Sequence, residues 1–199
     1  MTDSQGLTCQ ILGMYSMRYA GILILLLIGL IGCQEEQNTS GPRKDAAFFD
    51  LRSFFTAEIA RLEKAQPSIK KEIEINGEKE NKTQEGIDFE KELAIFIRAD
   101  INKPAWRDKY QIDSVMEAQR LKSLRYTALD SSLKTRVMTI DFNQAEVERI
   151  FILNKTNSPL IQSEQQLTFE PQSGYFIRNK QSLSLSKDSD LTIKAVFVN

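Results

Sequence analysis

Six short segments with strand-like patterning follow one another from Leu121 to the end of the chain. In the last segment Leu191, Ile193, Ala195 and Phe197 occupy alternate positions, which places them on one face of a strand. Turn-forming residues separate the segments, and the short connections favour an antiparallel meander. The segments cover residues 121–129, 133–142, 147–154, 165–171, 174–185 and 191–199.

Two helices are predicted upstream of these segments. From Asp45 onward, apolar residues recur at three- and four-residue spacing, and Pro67 marks the end of the stripe. The second helix is predicted to begin after Asp88, a favoured N-cap residue, and to end near Asp100, because Pro104 follows. The apolar residues are Phe48, Leu51, Phe55, Ile59 and Leu62 in the first helix and Phe89, Leu93, Phe96 and Ile97 in the second.

A β-hairpin is predicted between the two helices. Ile69, Ile73 and Ile75 are interleaved with charged residues, and Asn76-Gly77 is a dipeptide favoured in two-residue hairpin turns. These patterns predict an α+β fold, in which two N-terminal helices with a β-hairpin between them pack on a C-terminal antiparallel meander of about six strands.

An uncharged apolar run of 13 residues, AGILILLLIGLIG, covers residues 20–32 and ends directly before Cys33. A membrane-spanning helix needs about 20 such residues, whereas the apolar region of a signal peptide has about 7–15. The length of the run and the preceding Arg18 therefore favour a signal peptide over a signal-anchor helix. Leu30, Gly32 and Cys33 resemble the lipobox of bacterial lipoproteins, with a branched aliphatic residue three positions before the cysteine and a small residue directly before it.

The lipobox resemblance implies cleavage before Cys33, a diacylglyceryl group on the Cys33 sulfur and usually a third acyl chain on the new amino terminus. Two or three acyl chains anchor a protein stably to its membrane. Gln34 directly after the cysteine implies transfer to the outer membrane of the cell envelope. Whether the domain faces the periplasm or the cell surface is left open by Glu35 and Glu36, which faintly resemble a surface-export signal.

Three parts of the chain are expected: a signal peptide at 1–32, a lipidated tether at 33–44 and a single α+β domain at 45–199. The tether is polar and contains Gly41-Pro42, as is typical of a flexible linker. Met17-Arg18 begins a signal peptide of ordinary proportions, so translation is expected to start at Met17, with Met14 as the alternative.

The expected domain lacks the side chains of several common catalytic sites. The chain contains no His and two Cys, namely Cys9 in the segment to be removed and Cys33 at the lipid. Triads that use His, Cys nucleophiles and the usual zinc sites therefore do not fit, and we expect no enzyme, no metal and no cofactor. With 26 Lys and Arg against 27 Asp and Glu, the chain also has no basic excess for a nucleic-acid partner.

Four aromatic residues are candidates for contact with a ligand or partner: Trp106, Tyr110, Phe151 and Tyr175. Trp106 is the only tryptophan and Tyr110 lies close to it in sequence, in a turn-rich segment. Phe151 lies in a segment that is apolar at consecutive positions, which predicts a strand covered on both faces or curved around a ligand. Tyr175 directly follows Gly174, the last residue of a predicted turn.

The leading functional hypothesis is a lipid-anchored, non-enzymatic envelope protein that binds a partner or ligand through the sheet or the Trp106 loop. Its expected partners are the membrane, reached through the lipid on Cys33, and an envelope protein or an apolar ligand. Two alternatives stay open. One is a carrier that holds an apolar, lipid-like ligand in a curved sheet, and the other is a carboxylate-dependent hydrolase of envelope polysaccharide. Acidic residues for the hydrolase cluster before and within the predicted second helix, at Glu85, Asp88, Glu90 and Glu92.

Overall fold

The computed structural model describes residues 47–184 and 187–198. The described residues form an α+β domain, in which helices lie on one face of a single antiparallel sheet. Helix α1 spans Leu51–Ala65 and helix α2 spans Phe89–Ile97. A short 3-10 turn at Pro104–Trp106 follows α2.

Within the described ranges the sheet has nine strands, in the spatial order β2-β1-β9-β8-β7-β6-β5-β4-β3. Strands β3 to β9 form a meander, because each pairs with the next along the chain. The strands are β1 Ser68–Ile75, β2 Glu78–Gln84, β3 Tyr110–Glu117, β4 Arg120–Ala128, β5 Thr135–Asn143, β6 Glu146–Asn157, β7 Ile161–Glu170, β8 Gly174–Leu183 and β9 Ser189–Val198.

Both helices begin at an aspartate N-cap. An Asp50 carboxylate oxygen accepts a hydrogen bond from Ser53 N at 3.0 Å, and Asp88 accepts one from Lys91 N at 3.0 Å. Each carboxylate satisfies an amide that has no partner within the helix and also faces the positive end of the helix dipole. Helix α1 therefore begins at Leu51, later than the Asp45 start expected from its apolar stripe. It ends at Ala65, and the C-cap residue Gln66 has a left-handed backbone conformation directly before Pro67.

Aromatic side chains join the helices to the sheet. The ring centroid of Phe169 on β7 lies 5.0 Å from that of Phe55 on α1 and 5.7 Å from that of Phe96 on α2. Phe55 and Phe96 stack on each other at 5.1 Å, and all three rings are fully buried. We call this side of the sheet the helix-side face. The opposite side is the open face, over which no described helix packs.

The predicted fold was wrong in two respects. The sheet has nine strands rather than about six, and the β1–β2 hairpin is part of that sheet rather than a separate element between the helices. The hairpin does turn at Asn76-Gly77, but β1 also pairs along its whole length with β9, for example Ile69 with Phe197. This pairing joins segments from opposite ends of the domain, so no local pattern indicates it.

The strand that the sequence did not reveal is β3, at one edge of the sheet. After Tyr110 all of its residues are exposed, and its register shifts between Val115 and Met116. An edge strand with one exposed side and a β-bulge shows no sustained alternation of apolar and polar residues. The other edge, β2, is rich in Lys, Glu and Asn, which is typical of an edge protected against further pairing.

Strand β6 does not have the environment expected from its apolar run. Ile150 and Ile152 are fully buried on the helix-side face, whereas Phe151 and Leu153 lie half-buried on the open face. Within residues 47–184 and 187–198, no helix is long and apolar enough to cross a membrane. The predicted signal peptide, Cys33 and the tether lie outside the described residues.

Candidate functional site

Two of the four predicted binding residues, Trp106 and Tyr110, lie together. Their ring centroids are 6.4 Å apart, and Lys103 Nζ lies 3.9 Å from the centroid of the Trp106 ring. Trp106 is half-buried, so part of its surface is available to a partner. Tyr110 is 6% exposed and its hydroxyl donates a hydrogen bond of 2.8 Å to Thr135 O, which makes it a part of the core.

The other two predicted residues, Phe151 and Tyr175, lie on opposite faces of the sheet. Phe151 is half-buried on the open face, between its cross-strand partners Thr139 and Thr168. Tyr175 is 5% exposed on the helix-side face, and its hydroxyl donates to Glu92 Oε1. Burial, together with the neighbouring Glu92 carboxylate, raises the pKa of Tyr175 well above its usual range. The four residues therefore do not form one site.

A different set of residues forms a polar patch at one end of the helix-side face. Strands β6, β7 and β8 change there from apolar to uncharged polar side chains at the same level of the sheet, and β9 changes one pair further along, after Leu191. Cross-strand pairing brings the patch together, for instance Asn154 with Gln165 and Gln165 with Asn179. The polar patch consists of Asn154, Thr156, Ser163, Gln165, Asn179, Gln181 and Ser189.

The dimensions of the polar patch follow from sheet geometry. Neighbouring strands are about 4.8 Å apart and same-face residues along a strand about 7 Å, so the patch measures roughly 14 Å by 7 Å. Asn154 is buried at one end, Thr156 is exposed, and the other five side chains are partly exposed. The patch can therefore be reached by a ligand.

Asn154 has an unpaired acceptor in this patch. It is 3% exposed, and its Nδ2 donates a hydrogen bond of 3.1 Å to Gln165 Oε1. Its Oδ1 is buried and has no hydrogen-bond partner among the described residues. Buried polar atoms are nearly always paired, because an unpaired one costs about 1–3 kcal/mol, so Asn154 Oδ1 requires a donor from a water molecule or a ligand.

The core connects the Trp106 turn to the polar patch. Tyr110 packs on Trp106 and donates to Thr135 O, and Thr135 is the cross-strand partner of Asn154. Thr135 is itself 3% exposed, and its hydroxyl donates to Ala99 O at 3.2 Å in the segment after α2. Trp106 and Asn154 of the patch are therefore joined by a short series of contacts through Tyr110 and Thr135.

The open face has a different character at the level of the patch. Lys155, Glu164, Lys180 and Asp190 follow one another across β6 to β9 and contribute to the wall of an open depression of about 580 Å³. Lys155 Nζ lies 2.7 Å from Glu164 Oε2, and Lys180 Nζ lies 3.9 Å from Asp190 Oδ2. Four patch residues, Thr156, Ser163, Gln181 and Ser189, line the same depression, so this outer row of the patch borders the charged side chains. The inner row, Asn154, Gln165 and Asn179, lies outside the lining of the depression.

Two of the four acidic residues noted in the sequence, Asp88 and Glu92, have structural partners. Asp88 caps α2 and pairs with Lys91, and the hydrogen bonds from Lys91 hold its pKa below the usual range. Glu92 accepts from Lys71 Nζ at 2.6 Å. In the part of the chain that the structure describes, no group of three or more His, Cys, Asp or Glu is arranged to hold a metal ion.

The polar patch was not predicted from the sequence, although its signal is present there. In β6 the helix-side residues change from Ile150 and Ile152 to Asn154, and in β8 they change from Ile177 to Asn179. Each change alone resembles the end of a buried strand. Only the register between strands shows that these changes occur side by side.

Comparisons with known proteins give no identification: protein-family models, curated proteins and solved structures were all searched without a match.

Proposed function

We propose that this chain is a lipid-anchored protein of the bacterial cell envelope whose domain is a non-enzymatic binding module. The ligand would bind at the polar patch on the helix-side face. The observation that carries the proposal is the inner row of uncharged amides, Asn154, Gln165 and Asn179, which adjacent strands place side by side and which lies outside the charged depression. Binding sites commonly combine apolar surface with a few convergent polar groups, and this end of the sheet offers both.

The anchor is proposed from the sequence. Lipid on Cys33 would hold the chain at the outer membrane, and residues 33–44 would link the lipid to the domain. A flexible linker of that length spans on the order of 20 Å, so the domain would stay close to the bilayer. This position favours a ligand in or beside the envelope.

The lipid-carrier alternative receives less support from the packing. The rings of Phe55, Phe96 and Phe169 lie 5.0 to 5.7 Å from one another and fill the space between the helices and the sheet. Two open depressions of about 490 and 580 Å³ are formed by described residues, and polar or charged residues make up most of the lining of the first and all of the lining of the second. An acyl chain would need an apolar cavity instead.

The hydrolase alternative also receives less support. A catalytic acid needs a raised pKa to hold its proton at neutral pH. In the larger depression, the hydrogen bond from Lys155 holds the pKa of Glu164 below its usual range, and Arg178 does the same for Asp190. These carboxyl groups are therefore ion-pair partners rather than proton donors.

Site-specific photocrosslinking in cells that make the full chain tests the binding site. A photoreactive amino acid at Gln181 would lie in the polar patch, and one at Gln166 would lie on the open face, outside the depression that Gln181 lines. We expect a discrete adduct from position 181 and none from position 166. Adducts from position 166 alone, or none from either position, would contradict the proposed site.

Intact-mass measurement of the purified protein tests the anchor independently. We expect a chain that begins at Cys33 and carries the mass of a diacylglyceryl group, with or without a third acyl chain. A Cys33→Ser variant should lack this mass. An unmodified Cys33, or a protein that retains residues 20–32, would contradict the proposed anchor.

A further inference from the structure

We infer that the polar patch takes a neutral, hydroxyl-rich ligand, such as an uncharged segment of an envelope glycan. This inference rests on the proposed binding function and adds the chemical class of the ligand to it.

The first argument is the absence of charge from the patch. Recognition of phosphate or carboxylate groups relies on Arg or Lys, and recognition of cations relies on carboxylates. All seven residues of the patch carry an amide or a hydroxyl instead. Lys155, Glu164 and Lys180 border only the outer row of the patch, in the depression that they line together with Ser163 and Gln181. The inner row, Asn154, Gln165 and Asn179, lies outside the lining of that charged depression, so this row carries the inference of a neutral ligand.

The second argument is the hydrogen-bonding capacity of the amides. Each carboxamide offers two donor hydrogens and an acceptor oxygen, and each sugar hydroxyl is both donor and acceptor. Within the described residues Asn179 and Gln181 make no side-chain hydrogen bond, and Gln165 uses only its oxygen, as acceptor from Asn154.

The third argument is the apolar border of the patch. Leu191 pairs with Asn179 on one side and with Ile75 on the other, so both continue the row of the patch on the same face. Ile75 is 50% exposed and Leu191 is partly exposed, so this border offers apolar surface beside the amides. A sugar ring presents C–H groups on its faces and hydroxyls around its edge. Its faces could pack on the apolar border, while its hydroxyls bond with the amides of the patch.

A peptide is the other uncharged ligand with repeated donors and acceptors. Extended peptides usually join a sheet at an exposed edge, where backbone groups are unpaired. The patch lies instead on β6 to β9, inside the sheet, where the backbone is already paired on both sides of each strand. Its free groups are side-chain amides, which favours hydroxyls as their partners.

Saturation-transfer NMR on the full processed chain in detergent tests the inference. The probes are N-acetylglucosamine tetramer, maltotetraose, a galacturonic acid tetramer and a neutral peptide of similar mass. We expect transfer to at least one neutral oligosaccharide and an affinity that is insensitive to salt, because no charge pair contributes. Asn179→Leu should weaken that binding at least tenfold, whereas the matched open-face variant Gln166→Leu should leave it unchanged.

Several results would overturn the inference. Stronger binding of the acidic tetramer or of the peptide would assign another ligand class, and binding that survives Asn179→Leu would place the saccharide elsewhere. Absence of saccharide binding together with a persisting crosslink at position 181 would reject the glycan but retain the binding module. Absence of both would reject the module as well and would leave an ordered water as the partner of Asn154.

Discussion

Lys71 on β1 and Glu92 on α2 form an ion pair of 2.6 Å that ties the second helix to the sheet. The lysine side chain is 12% exposed and the glutamate side chain 23%, so solvent screens this pair only partly. Tyr175 on β8 donates to the same Glu92 oxygen. One carboxylate therefore connects α2 to two strands of the sheet.

Loss of this carboxylate is expected to be costly. Glu92→Gln leaves Lys71 partly buried without a counterion, and we expect the free energy of unfolding to fall by about 2–3 kcal/mol. Urea unfolding followed by circular dichroism measures the change. As a control, Lys79→Ala removes an exposed pair with Glu74 and should leave the unfolding midpoint unchanged. Equal changes in the free energy of unfolding would show that the Lys71–Glu92 pair contributes no more to stability than the exposed pair of Lys79.

Gly174 should not tolerate a side chain. It has φ +138°, and a Cβ added there would lie 2.1 Å from the backbone oxygen of Ala195 on the neighbouring strand β9. We expect Gly174→Ala to lower the free energy of unfolding by more than about 3 kcal/mol. Thermal unfolding of that variant, beside Gly77→Ala, provides the measurement.

Gly77→Ala is the matched control because Gly77 also has positive φ, at +93°, but has nothing within 4 Å of the added Cβ. It should cost only about 1–2 kcal/mol, which is the conformational penalty alone. A Gly174→Ala protein as stable as the control would mean that the close approach of β8 and β9 is wrong.

The two faces of the sheet should respond differently to loss of a phenylalanine. Phe169 is fully buried between α1 and α2, so Phe169→Ala should cost about 3–5 kcal/mol. Phe151 is half-buried on the open face, and Phe151→Ala should cost about 1 kcal/mol. Chemical denaturation of both variants compares them directly. A cost at Phe151 as large as that at Phe169 would indicate that the open face is covered.

The buried tyrosines predict a loss of stability at alkaline pH. Burial raises the pKa of Tyr110 to about 12, while the usual value in an unfolded chain is about 10. Because the folded state favours the neutral phenol, this stabilisation is complete below pH 10 and is lost as the pH rises from about 10 to 12. The expected slope is on the order of 1 kcal/mol per pH unit for this residue.

Unfolding free energies between pH 8 and pH 12, measured for wild type and Tyr110→Phe, isolate this contribution. The variant should be less stable near pH 8, because Thr135 O loses a hydrogen bond, and it should lose less stability above pH 10. Parallel pH profiles for the two proteins would contradict the buried position of Tyr110.

Local patterns in the sequence predicted the elements better than their arrangement. The Asp88 cap, the turn at Asn76-Gly77 and the end of α1 before Pro67 each depend on neighbouring residues, and the structure contains all three. The pairing of β1 with β9 depends on residues that are far apart in sequence, so the prediction kept the hairpin separate from the sheet. Edge strand β3 was overlooked because an exposed strand needs no regular apolar face.

The same distinction explains the candidate site. Trp106 and Tyr110 are four residues apart in sequence, and their ring centroids lie 6.4 Å apart. Asn154, Gln165 and Asn179 come from three strands, and only the sheet register places them side by side. Aromatic residues were favoured in the sequence because they often anchor partners, but burial rather than residue type decides which side chains are accessible.

The most direct measurement is a titration of the isotope-labelled full chain in detergent with a neutral oligosaccharide that binds, followed through the side-chain NH₂ signals of Asn and Gln. The signals of Gln165, Asn179 and Gln181 should shift together, because they share the polar patch. The signal of Gln166, which lies on the open face of β7 and outside the depression that Gln181 lines, should not move. A shift confined to Gln166, or a binding saccharide that moves none of the three patch amides, would contradict a binding site on the helix-side face.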